Sequence, residues 1–172
     1  MNAARRGRPS FGAAPSGRRN GRLFAAVAFL SLGAVAAALA SQHVWAMEPC
    51  PWCVLQRLVF VALAAVAVLG LVWRGPAGSR LAGTFALLLA AGGLAAAMWQ
   101  HFAAARSASC NLTLADRIMN ATGLNGLLPG VFEARASCAD AAVSLLGVPY
   151  DFWSAGLFVL IAVLAVFALR RA

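Results

Sequence analysis

Four apolar runs, Leu23–Ala40, Val54–Trp73, Leu81–Trp99 and Phe152–Leu169, decide most of what this chain can fold into. Each approaches the roughly 20 apolar residues that carry a helix across a hydrocarbon core about 30 Å thick. Backbone polar groups find no water there, so a spanning segment must be a helix or part of a closed barrel. Ala and Leu dominate the runs and no two-residue alternation is present, which excludes the barrel. Of the 172 residues, 62% are hydrophobic, against about 45–50% in a soluble domain. The excess sits in the four runs. The expected fold is an all-α membrane protein, an antiparallel four-transmembrane-helix bundle over residues 23–172.

The net charge of +9 is a statement about position. Arg5, Arg6, Arg8, Arg18, Arg19 and Arg22 lie ahead of the first run, Arg74 and Arg80 between the second and third, and Arg170 and Arg171 after the fourth. None of these segments holds an acid. All five acids, Glu48, Asp116, Glu133, Asp140 and Asp151, fall in the other two connections. Arginine-rich short segments stay cytoplasmic. Both termini and the middle connection are therefore expected in the cytoplasm, with outer loops of about 42–53 and 100–151 on the opposite side of the membrane, in the compartment where disulfides persist. Residues 1–22, rich in Gly, Ser, Pro and Ala, are expected to form a disordered arm against anionic lipid. Topology accounts for the basic residues without nucleic acid. Ala38-Leu39-Ala40 before Ser41 has the look of a signal-peptide cleavage site, but the apolar stretch exceeds the usual 7–15 residues, so a retained helix is expected.

Arg74-Gly75-Pro76-Ala77-Gly78-Ser79-Arg80 is dense in helix breakers and turns the second span tightly into the third. The second outer loop is long enough to carry function or structure of its own. In it, Leu114, Ile118 and Met119 share a helical face, which predicts a short amphipathic helix on the bilayer surface. A second short helix is expected from about Cys138 to Leu146, ending near Gly147 and Pro149. Asn111-Leu112-Thr113 and Asn120-Ala121-Thr122 match the glycosylation acceptor pattern by chance, since a glycan beside Cys110 would block its sulfur.

All four cysteines lie outside the apolar runs, in the outer loops. Cys50-Pro51-Trp52-Cys53 opens the second run, and Cys110 and Cys138 stand in the long loop. An even count in an oxidising compartment reads as two redox pairs. In a C-x-x-C unit one thiolate is stabilised by its neighbour, and a helix N-terminus adds partial positive charge. Arg57 follows Cys53 by one turn, on the same face. An arginine inside a membrane span is a functional candidate, here for favouring a Cys53 thiolate and bonding a ligand carbonyl; the plain alternative is a side chain snorkelling to the interface. Purely structural disulfides are the rival reading of the cysteines. A zinc site normally needs two close-spaced pairs, and Val54 stands where haem attachment requires histidine. Two pairs on one side of a membrane invite a relay by thiol–disulfide exchange. With no nucleotide-binding glycine pattern, the electrons need a lipid-soluble acceptor.

Pro49-Cys50-Pro51-Trp52-Cys53-Val54-Leu55-Gln56-Arg57 resembles the signature of the DsbB family of bacterial quinone-linked thiol oxidases. The resemblance covers roughly residues 23–170 and includes the order of the two cysteine pairs. It implies a membrane enzyme that reoxidises a periplasmic, thioredoxin-fold, DsbA-like dithiol protein, acts as a monomer, and reduces ubiquinone or menaquinone. By position, Cys110 would take the mixed disulfide with the partner and Cys138 would pass electrons to Cys50. Cys53 would deliver them through a thiolate–quinone adduct or charge-transfer complex. Arg57 would polarise the quinone, and His101 and Gln56 would lie near it. No metal is implied.

Overall fold

The computed structural model describes residues 16–73, 75–106 and 113–172. Cys110, Asn111, Arg74 and the first part of the arm lie outside them. Three long helices come first: α1 (Ser16–Trp45), α2 (Pro51–Val72) and α3 (Pro76–Phe102). The 22 residues of α2 span about 33 Å at the helical rise of roughly 1.5 Å per residue, enough to cross a bilayer core. The helix α1 starts inside the segment expected to be arm. Arginine is a good helix former, and the buried Asn20 Nδ2 donates to Ala168 O at 3.4 Å, which ties this end of α1 to the last helix. Between α2 and α3, Trp73 N bonds back to Leu69 O and Gly75 caps a helix whose first residue is Pro76, the position where a missing N–H costs nothing.

The second outer loop folds into α4 (Leu114–Thr122), α5 (Leu124–Leu127), α6 (Pro129–Phe132) and a two-stranded hairpin, β1 (Ser144–Leu145) with β2 (Val148–Pro149), before α7 (Tyr150–Arg170). Thr113 and Asp116 close a capping box, each side chain bonding the other's backbone N–H, which starts α4. The expected amphipathic helix is therefore present, with a shifted buried face. Ala115 and Met119 are buried, Ile118 is partly covered and Leu114 is exposed, because α4 packs on α2. The helix expected over Cys138–Leu146 does not form. Leu146 and Gly147 both adopt the left-handed region (φ +54° and +79°) and make the two-residue turn of a hairpin instead.

The four long helices close into a ring in which each packs on two others: α1 on α2 and α7, and α3 on α2 and α7. Their inner faces are small, with Ala67, Ala82, Ala86, Ala90, Ala165 and Ala168 buried around Phe24, Phe60 and Phe158. Small residues let membrane helices approach closely, where van der Waals packing rather than water exclusion holds them together. Phe60 and Phe158 stack with centroids 4.2 Å apart. Outward-facing Phe29, Leu69 and Leu88 are exposed, as a lipid-facing surface requires. The antiparallel arrangement puts Arg22, Arg80 and Arg170 at one end of the bundle and Cys50, Cys53 and the loop helices at the other.

Candidate redox site

Proline sets the geometry of the C-x-x-C unit. Pro51 occupies the first turn of α2, so Cys50 becomes its N-cap in extended conformation (φ −86°, ψ 168°), and Cys50 Sγ accepts from Cys53 N at 3.3 Å. One helical turn then brings the two sulfurs within 2.7 Å. Cys50 is fully buried, whereas Cys53 is partly exposed in a cavity wall.

Cys138 reaches this pair although it is far away in the chain. Arg135 N and Ala136 N both donate to Pro49 O, at 2.9 and 3.2 Å, so the segment after α6 is clipped to the residue just before Cys50. Ser137 and Asp140 then close a tight turn around Cys138. Cys138 shares a buried cluster with Cys50 and Trp52, close enough for the two thiols to act on each other. The order of sulfurs is Cys138, Cys50, Cys53, with Cys50 in the middle. Hydrogen bonds to Cys138 and Cys53, reinforced by burial, push the Cys50 thiol far above the ordinary range. The hydrogen bond from Cys50 pulls Cys138 below it, against the opposing effect of burial.

The other expected residues divide. Arg57 is buried and does not snorkel. Its Nη1 donates to Gln42 Oε1 at 2.7 Å and Val131 O at 3.0 Å, and its Nη2 to Ala38 O at 3.3 Å. It therefore joins α1, α2 and α6. Gln56 Nε2 donates to Gln100 Oε1 at 2.7 Å, and Gln100 Nε2 sits 3.2 Å from Cys53 Sγ. His101 Nδ1 lies 2.8 Å from Asp151 Oδ2, with its ring against Phe152, and links α3 to α7. A cavity of about 700 Å³ opens between α1, α2, α3, α7 and the outer loops, walled by Cys53, Gln56, Arg57, Gln100, Asp151 and apolar groups such as Ala34, Phe60 and Leu157. His101 stands behind Asp151 and is not part of that wall. Gln42, Gln100 and Asp151 escaped the sequence reading. Their one signal is a polar residue at the outer end of an apolar run.

Residues 19–168 match the family model described as disulfide bond formation protein DsbB. This chain belongs to the DsbB family. It is 34% identical over 152 residues to disulfide bond formation protein B of Aromatoleum aromaticum, covering 83% of this chain and 91% of that one. With disulfide bond formation protein B 1 of Pseudomonas savastanoi pv. phaseolicola it shares 32% over 150 residues, 86% of this chain and 88% of the relative. With the Burkholderia pseudomallei protein it shares 30% over 155 residues, 90% and 92% of the two chains. It is thus a four-helix membrane oxidoreductase of disulfide bond formation that works with a partner in that pathway.

Proposed function

We propose that this DsbB-family protein oxidises the dithiol of a soluble, thioredoxin-like partner of the DsbA type and passes the two electrons to a membrane quinone. The carrying observation is the position of Cys50, whose sulfur lies 2.7 Å from that of Cys53 and shares a buried cluster with Cys138 at the edge of a cavity that reaches into the bundle. In the resting protein the pairs are Cys110–Cys138 and Cys50–Cys53. A partner thiolate attacks Cys110; a partner–Cys110 bond forms, the Cys110–Cys138 bond breaks, and the electron pair leaves on Cys138. Cys138 lies in the same buried cluster as Cys50, so the electron pair is released beside the sulfur that it attacks next. Cys138 then attacks Cys50, and the pair leaves on Cys53. The second partner thiol releases Cys110, which recaptures Cys138 and frees Cys50. The net transfer to the Cys50/Cys53 dithiol is two electrons and two protons.

The cavity supports a quinone as acceptor. Its volume falls in the usual small-molecule range of about 300–1,000 Å³, and its wall is mostly apolar with a few convergent polar groups. A bound quinone supplies an acceptor for two electrons and two protons. Cys53 offers the donor sulfur in the wall, Arg57 a buried positive charge, and Gln56 an amide beside it. His101 would act through Asp151, which faces the cavity. The end of the bundle carrying Arg22, Arg80 and Arg170 fits the cytoplasmic side of a bacterial inner membrane, which leaves the sulfurs facing the periplasm. Residues ahead of α1 would be a cytoplasmic arm.

Purified protein given reduced partner and a soluble ubiquinone should reduce the quinone, and Cys53→Ser should abolish that while the thermal unfolding of the protein stays unchanged. Turnover in Cys53→Ser would refute the relay and favour loops merely stapled by disulfides. Cys138→Ser should accumulate a Cys110-linked adduct, whose mass identifies the captured protein.

A further inference from the structure

We infer that Gln100 is the hydrogen-bond donor that stabilises the sulfur of Cys53 when it leaves the Cys50–Cys53 disulfide, and that Gln56 is a positioning residue acting through Gln100. The inference rests on the relay above, and it reassigns the amide of Gln56 from the acceptor to the sulfur. When Cys138 attacks Cys50, the Cys138–Cys50 bond forms, the Cys50–Cys53 bond breaks and the electron pair stays on Cys53 Sγ. That charge develops in the first turn of α2, in a mostly apolar cavity wall, so a fixed dipole there is worth more than in bulk solution. Arg57 directs hydrogen bonds to Gln42, Val131 and Ala38. Cys50, once bonded to Cys138, has no proton to give, and the donor left on Cys53 Sγ is Gln100 Nε2, at 3.2 Å.

An amide can turn either end toward a neighbour. In the arrangement found, Gln56 Nε2 donates to Gln100 Oε1 at 2.7 Å, which turns the Gln100 N–H end to sulfur. A thiolate has no proton to give, so only this orientation of Gln100 suits it. Both glutamines are buried, and both are neutral. They add a dipole to the site without adding a charge that would itself need a counter-ion at this depth.

The test is site-resolved alkylation by iodoacetamide of the fully reduced, detergent-purified protein, without quinone or partner, read by mass spectrometry at Cys53, Cys50 and Cys138 across pH. Near neutral pH, Gln100→Leu should slow Cys53 about tenfold, the loss of one hydrogen bond to a charged group, and leave Cys138 unchanged. The difference should vanish at alkaline pH, where Cys53 is ionised in both proteins. Gln56→Leu should slow Cys53 by a smaller factor, and the double variant should be no slower than Gln100→Leu. If Gln100→Leu fails to fold, Gln100→Asn, one methylene too short to reach, takes its place. An unchanged Cys53 rate, or faster alkylation at all three cysteines as from a loosened bundle, overturns the inference. If Cys53 of the unmodified protein is no more reactive than an ordinary thiol, the relay itself fails; if it is reactive yet indifferent to Gln100, only the present inference does.

Discussion

Arg57 Nη1 donates to Val131 O at 3.0 Å, so a cation inside a membrane-spanning helix holds down the short helix of the outer loop. The same guanidinium grips Gln42 and Ala38 on α1. It therefore fastens the loop that carries Cys138 to the helix that carries Cys53, besides facing the cavity.

Arg57→Met should release α6. The side chain keeps its bulk and loses the three donors, each a charge-assisted bond worth roughly 1.5–3 kcal/mol. A local loss of about 2 kcal/mol would raise the opening equilibrium roughly thirtyfold. Hydrogen exchange of Val131 and Phe132 should accelerate accordingly while exchange in α3 stays slow. Arg57→Lys should recover only part of the protection, since an ammonium lacks the planar fork that reaches several acceptors at once.

Cys50 and Cys138 should titrate in opposite directions in the reduced protein. The hydrogen bonds of Cys50 to its two neighbours hold its proton on, and the hydrogen bond from Cys50 makes Cys138 give its proton up more easily. The contribution of Cys138 to folding stability is then present above the ordinary thiol value and fades as pH falls through its lowered one. That of Cys50 is full below the ordinary value and is lost as pH rises. Alkylation of Cys138 should begin at lower pH than in the unfolded chain, and Cys50→Ala should move it back toward the ordinary thiol range. An alkylation profile of Cys138 indifferent to Cys50→Ala would separate the two sulfurs.

His101 and Asp151 should couple energetically. Their side chains are 28% and 10% exposed, so the carboxylate is the more costly member to strand. His101→Ala should destabilise the bundle by about 1–2 kcal/mol, below the roughly 3–5 kcal/mol of a fully buried pair because the histidine edge is open. Adding Asp151→Leu should restore most of it, as removal of both partners leaves no stranded charge. Thermal unfolding in detergent of the two single variants and the double variant measures the coupling. Additive losses would show that the contact contributes nothing.

The four spans and the position of Cys50 at the head of the second were legible because length, apolar composition and a proline each act locally. The union of Cys50 with Cys138 depended on Pro49 O accepting from Arg135 and Ala136, a contact between segments far apart in the chain that no local pattern encodes. Gln100 and Gln42 were invisible for a related reason. A glutamine at the end of an apolar run looks like a boundary residue until helix rotation decides whether it turns inward. After Cys138 the sequence predicts a helix because Gly147 is a normal helix stop, and the structure forms a hairpin through a left-handed Leu146, a backbone unusual for leucine.

Gly92 and Gly93 show the same limit within two adjacent residues, and they part the predictions cleanly. A Cβ on Gly93 would run into the ring of Phe158, itself stacked on Phe60, whereas a Cβ on Gly92 meets nothing within 4 Å. Gly93→Ala forces the aromatic pair apart in a core of small, tightly fitted residues and should cost about 1–3 kcal/mol. Gly92→Ala adds only helix propensity and should be neutral or stabilising by up to about 1 kcal/mol. Phe158→Leu in the Gly93→Ala background should recover part of the loss by withdrawing the ring. Thermal unfolding of the three variants decides the matter: equal melting temperatures for the two alanine variants would mean that α3 does not pack on α7 through Gly93.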